Sequence, residues 1–156
     1  MSQTAYDGYM DEAIKGQPAD GNDPNNDIVT YNNPVDRIMF GLGLAKVSGD
    51  DNGCEIPSGG GFDFIGCAVR GMNVPSYDYY EVKDAVPVMK KGRMWVLCEV
   101  DCDPDDSVFL VHTGATAGQF RNDATNADAV PNARFMNSTI TTDGGEKITI
   151  VDLNVT

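Results

Sequence analysis

The chain has 156 residues and a mass of 16.8 kDa, enough for one domain with a real core and too little for two full domains. Lys and Arg number 11 against 24 Asp and Glu, a net charge of −13, which repels a phosphate backbone and anionic lipid and so argues against nucleic-acid and membrane partners. No apolar run approaches the roughly 20 residues of a membrane helix, and the opening MSQTAY has neither a basic nor an apolar stretch, so no secretory signal is expected.

Residues 1–26 are polar, rich in Gly, Asp and Asn, and carry only four sizeable apolar groups: Tyr6, Tyr9, Met10 and Ile14. The spacing of Tyr6, Met10 and Ile14 suits one helical face, but Gly8 and Gly16 weaken a helix. This section is expected to be an extended N-terminal arm, loose when alone, with residues 27–156 forming a β domain. A short strand is expected over 27–31, closed by Asn32-Asn33-Pro34, and a longer one over 38–47 with a bend at Gly41 and Gly43. Residues 48–53 and 57–61 read as loops, and 62–70 as a strand.

The clearest pattern runs over 84–100. Val86 and Val88 alternate, Lys90-Lys91-Gly92 interrupts, and Met94, Val96, Cys98 and Val100 then alternate with Arg93, Trp95, Leu97 and Glu99. Period-two patterning on both sides of a Gly-containing break predicts a hairpin. Further strands are expected over 107–112, 118–121 and 133–136, with 122–130 a loop. The last, 147–155, shows a slip at Val151 that a bulge would explain. Of the acids, 19 are Asp and 5 are Glu, beside 12 Asn, 17 Gly and 8 Pro. Those are turn formers and poor helix formers. Eight or nine short strands with frequent turns predict a single all-β domain, either a β-sandwich or jelly-roll or a β-tulip-like barrel.

The residues that carry chemistry are sparse. His112 is the only histidine and ends an apolar strand. Cys54, Cys67, Cys98 and Cys102 lack CxxC spacing, so neither a zinc site nor a disulfide framework is expected, and reduced thiols are. Asp101, Asp103, Asp105 and Asp106 could interest calcium, but the loop lacks the Gly and Glu of an EF-hand, and solvated turn acids are the simpler reading. Phosphate-loop, nucleophile-elbow and zinc-protease motifs do not occur. No catalytic residue, cofactor or metal is expected, and the chain does not read as an enzyme. Trp95 fits either a second core face or an interface.

Four segments in order, residues 1–6 (MSQTAY), 86–96 (VPVMKKGRMWV), 117–121 (AGQFR) and 133–135 (ARF), resemble the structural cement proteins that decorate the capsids of tailed phages. The resemblance covers most of the chain. It implies an all-β protein, made in the host bacterial cytoplasm, that binds the outer surface of the phage head and stabilises the shell against internal DNA pressure. The implied partners are the major capsid protein and further copies of the chain, a homotrimer being favoured over a dimer. The implied contacts are Tyr6, Tyr9, Met10 and Ile14 in the arm, with Trp95, Phe120 and Arg121 as further candidates. A cement needs a rigid body and a reaching arm rather than a catalytic group, and an arm laid over a neighbour adds buried area. Two other readings are a carbohydrate- or receptor-binding β-module of a virion and a small hydrolase using scattered Asp.

Overall fold

A computed structural model describes residues 14–19, 26–71, 79–142 and 144–155. Among these there are thirteen strands and no helix. In chain order they are β1 (Asp27–Asn32), β2 (Ile38–Met39), β3 (Gly43–Lys46), β4 (Cys54–Glu55), β5 (Phe64–Ala68), β6 (Tyr79–Tyr80), β7 (Ala85–Cys98), β8 (Phe109–Val111), β9 (Phe120–Arg121), β10 (Ala127–Ala129), β11 (Arg134–Phe135), β12 (Ile140–Thr141) and β13 (Lys147–Asn154). Eleven belong to one sheet, and β2 and β6 pair apart from it. The all-β expectation holds. The strands are more numerous than the sequence pattern suggests, and eight of the thirteen have only two or three residues, because turn-forming residues break those ladders. Residues 38–47 divide into β2 and β3, and the expected loop at 122–130 contains β10, which pairs with β8.

The 84–100 segment is not a hairpin but one strand of 14 residues, β7, the spine of the sheet. β1 runs antiparallel along its first half, with Asn32 opposite Ala85 and Asp27 opposite Lys91. β13 runs antiparallel along its second half, from Asn154 opposite Lys91 to Lys147 opposite Cys98. β5 joins at Val88 and Met89, and β9 joins in parallel at Cys98. The Lys90-Lys91-Gly92 interruption is a bulge within the strand. The β1 register jumps from Asp27↔Lys91 to Ile28↔Met89 and leaves Lys90 unmatched. One unmatched residue shifts the side-chain phase by one. Met89 and Met94 therefore reach the same core although they stand five positions apart, an odd number. Gly92, with φ of +128°, supplies a backbone conformation that other residues rarely adopt.

β7 and β13 bury both faces. Met94, Val96, Cys98, Val151 and Leu153 enter the largest cluster, with Leu110, Phe120 and Phe135. Trp95, Leu97 and Ile148 enter another with Leu42, and Ile150 packs against it. Val86 and Val88 join a third with Ile38, Phe40, Leu44 and Tyr80. Burial of both faces explains the apparent slip at Val151. The β13 register is unbroken from Lys147 to Asn154, so no bulge lies there. Ile148 and Ile150 serve one core while Val151 and Leu153 serve the other. Of the expected alternatives, a sandwich or jelly-roll or a barrel, the closed barrel gives way to an open sheet. The path β10-β8-β9-β7-β5-β3-β4 does not pair its two ends.

Candidate functional site

Tyr6, Tyr9 and Met10 lie outside the described residues. Within the section 1–26 expected to form the arm, residues 14–19 are described and are stitched to the spine. Gly16 N–H donates to Trp95 O at 2.8 Å, Trp95 N–H donates to Gln17 O at 2.9 Å, and Ala19 N–H donates to Arg93 O at 2.8 Å. Pro18 stands opposite Met94 in an antiparallel bridge. Arg70 N–H adds a bond to Gly16 O at 2.7 Å. Glycine is required at position 16. Its φ is +82°, and a methyl there would meet Phe40 Cβ at 2.8 Å and the backbone nitrogens of Arg70 and Gly41 at 3.0 and 3.1 Å. Lys15 closes the clamp. Its side chain is 8% exposed and its Nζ lies 2.7 Å from Glu146 Oε2, in the turn before β13. A lysine this deep needs such a partner. Ile14, at the mouth of the clamp, is 38% exposed.

The structure scatters the other candidate contacts. Trp95 is buried beside Leu42, Leu97 and Ile148, and its backbone holds the arm root. Phe120 is wholly buried in the largest core cluster, edge-on to Phe64 at 6.5 Å between ring centroids. Its side chain offers no surface to a partner. Arg121 is held by its own chain: Nε and Nη2 reach the two Asp123 carboxylate oxygens at 2.8 and 3.1 Å, and Nη1 reaches Glu99 at 3.0 Å. The guanidinium and the Thr125 N–H together hold the Asp123 carboxyl well below the usual carboxylate range.

The acidic turn at 101–106 spends much of its charge internally. Asp106 accepts from Asp103 N–H at 2.9 Å and Asn122 Nδ2 at 3.0 Å, which lowers its pKa. Asp103 accepts from Ser138 Oγ at 2.8 Å, and Lys147 Nζ lies 3.4 Å from Asp101. His112 stands 2.7 Å from Thr113 Oγ1 and 3.5 Å from Asp128, which also caps Gly61 N–H at 2.8 Å. That constellation fastens the 59–61 loop to β10. All four cysteines are free and buried. Burial raises the Cys54 thiol to about 11 and the Cys67 thiol further, so both are poor nucleophiles.

What the described residues present, then, is a braced body, a clamped arm root and carboxylates tied into turns. A family model described as structural cement protein (E217 gp24/Pam3 gp6) matches residues 1–154. The chain belongs to the structural cement protein family. This cement protein also shares its fold with a chain from the capsid of the Myoviridae phage XM1. The two are 17% identical, the match covers 96% of this chain and 98% of the other, and the TM-score is 0.68. No curated protein matches. The family is a structural component of phage capsids and not an enzyme class. The arm root was the site that sequence reasoning missed. Beside Ile14 its legible trace is Gly16, which in the sequence weakens a helix and in the structure is a point of close approach.

Proposed function

We propose that this cement protein binds the outer surface of the phage head and stabilises the shell against the outward pressure of packed DNA. The family match over residues 1–154 carries the reading. The clamp at 14–19 supports it mechanically. An arm gripping a shell subunit transmits load only if its root is fixed to the body. Here the root runs antiparallel to β7 and holds it by three backbone bonds. Tension along such a strand loads those bonds together rather than one at a time. The contacts with the shell are assigned to the arm, through Tyr6, Tyr9, Met10 and Ile14. A homotrimer on the head multiplies weak contacts through effective concentration. A net charge of −13 keeps decorated particles apart in solution.

The test is add-back. Purified protein mixed with heads that lack it is expected to co-sediment with them and to raise their rupture temperature. Heads that bind the protein yet rupture at an unchanged temperature would refute stabilisation, and heads that do not bind it would refute docking.

A further inference from the structure

Among the described residues, the large apolar side chains left in solvent are Ile14, Ile28, Val29, Val35 and Val82. Four of these five lie on β1 or in the two loops at its C-terminal end. Ile28 and Val29 lie on β1, Val35 follows it, and Val82 lies in the loop that leads into β7. Backbone bonds join the two loops: Asn33 N–H to Asp84 O at 3.2 Å and Lys83 N–H to Asn33 O at 2.6 Å. The Asn33 side chain adds a bond to Glu81 O at 3.0 Å.

Among the described residues, β1 is also an open edge up to Asn32, which bridges Gly53. Its strand partner among the described residues is β7 alone. Asn33 N–H points to β7, so by antiparallel alternation Val29 and Tyr31 face β7 while Ile28, Thr30 and Asn32 turn their N–H and C=O groups outward. The outward N–H of Asn32 is taken by Asn52 O at 2.8 Å. The outward groups of Ile28 and Thr30 pair with none of the described residues. Proteins ordinarily guard such an edge with Lys or Pro. β1 reads DIVTYN and has neither. The local charge departs from the rest as well. Residues 27–37 and 81–91, which carry β1, the two loops and the half of β7 beside them, hold four acids and four bases, Lys90 and Lys91 among them, where the whole chain has 24 acids and 11 bases.

The geometry points to strand addition. An extended segment of a shell subunit pairs its backbone with Ile28 and Thr30, covers Ile28 and Val29 with apolar side chains, and meets Lys90 and Lys91 with carboxylates. A second copy of this chain is the alternative occupant, and protection of the same amides in concentrated free protein would reveal it. This inference rests on the head-binding reading and adds to the arm a second, backbone-mediated contact.

Hydrogen exchange on the full chain, free and bound to heads that lack it, tests the inference. The Ile28 and Thr30 amides are expected to slow about tenfold or more on binding. Ile28→Lys, whose side chain is already in solvent, is expected to keep the melting temperature and weaken head binding about tenfold. Binding of the original chain with both amides unprotected, or with Ile28→Lys binding equally, overturns strand addition and leaves head binding standing. Protection that appears when the free protein is merely concentrated gives the edge to a second copy and overturns the shell assignment. Failure of the original chain to bind heads overturns both.

Discussion

Gly16 shows what one residue contributes. Its missing side chain lets the arm root lie against Phe40, Gly41 and Arg70. In Gly16→Ala, the left-handed backbone costs about 1–2 kcal/mol for a residue with a Cβ, and the overlap adds to it. The variant is expected to lose about 2–4 kcal/mol of stability, or to release 14–19 from β7. A thermal melt reads the first outcome, and faster exchange of the Gln17 and Ala19 amides reads the second. A melt unchanged and exchange unchanged would mean that the root is not clamped. Tyr80 makes a different kind of prediction. Burial raises its phenol from 10.0 to about 12, and the hydroxyl donates to Val69 O at 2.5 Å. A folded-state pKa above the unfolded one means that the neutral group's stabilisation is intact below pH 10 and is lost as pH rises through about 12. The original protein should lose stability across that window, and Tyr80→Phe should flatten part of the loss. Tyr80→Phe following the original curve through the window would remove Tyr80 as its cause.

At the scale of the element, β13 lays side chains into two cores and β7 into three, and Thr149 is the polar exception. It is wholly buried, donates through Oγ1 to Asn137 O, and lies 2.7 Å from Asn137 Oδ1, which also accepts from Ile150 N–H. The bonds pin the segment before β12 to the middle of β13. Thr149→Val keeps the shape and removes the hydroxyl, leaving buried acceptors short of a donor. It is expected to cost about 1–3 kcal/mol by denaturant melt. A neutral or stabilising result would mean that packing alone sets this position. The same pair of strands shows how sequence patterning misleads. Val86 and Val88 on one side of Lys90-Lys91-Gly92, and Met94, Val96 and Cys98 on the other, are two runs in period two. A turn and a bulge both interrupt such a pattern. What separates them is which neighbour pairs with each half, and β1 and β13 come from distant parts of the chain.

For the whole molecule, the clamp decides where the arm can be cut. A chain beginning at Asp27 also loses 14–19, and with them the partners of Trp95 N–H and O and of Arg93 O. Such a chain is expected to be less stable as well as weaker in binding. A chain beginning at Ile14 keeps the clamp and removes Tyr6, Tyr9 and Met10. It should melt within a few degrees of the full chain yet bind heads about tenfold more weakly, as measured by sedimentation with heads. Equal binding would refute the role given to the arm's aromatic residues. Charge acts at this scale too. Asp51, Asp106 and Asp123 all have depressed pKa values. Each contributes stability above its unfolded value that is lost as pH falls through its folded value. The body should therefore weaken in acid below the ordinary carboxylate range, and a melting temperature that rises there would contradict this assignment.

Composition and period-two patterning were enough to determine an all-β chain without a phosphate-binding or hydrolase motif, because turn formers and alternation are local properties of the chain. The order of four short segments was enough to indicate the cement family. Pairing across the chain was decided only in three dimensions. The long strand, the unpaired sheet ends and the clamp at 14–19 each depend on which distant residues meet. So does the fate of single side chains. Phe120 looks the same in sequence whether it faces solvent or core, and Ile28 looks like an ordinary strand residue until β7 covers one edge of its strand and no other described strand takes the backbone of Ile28 and Thr30.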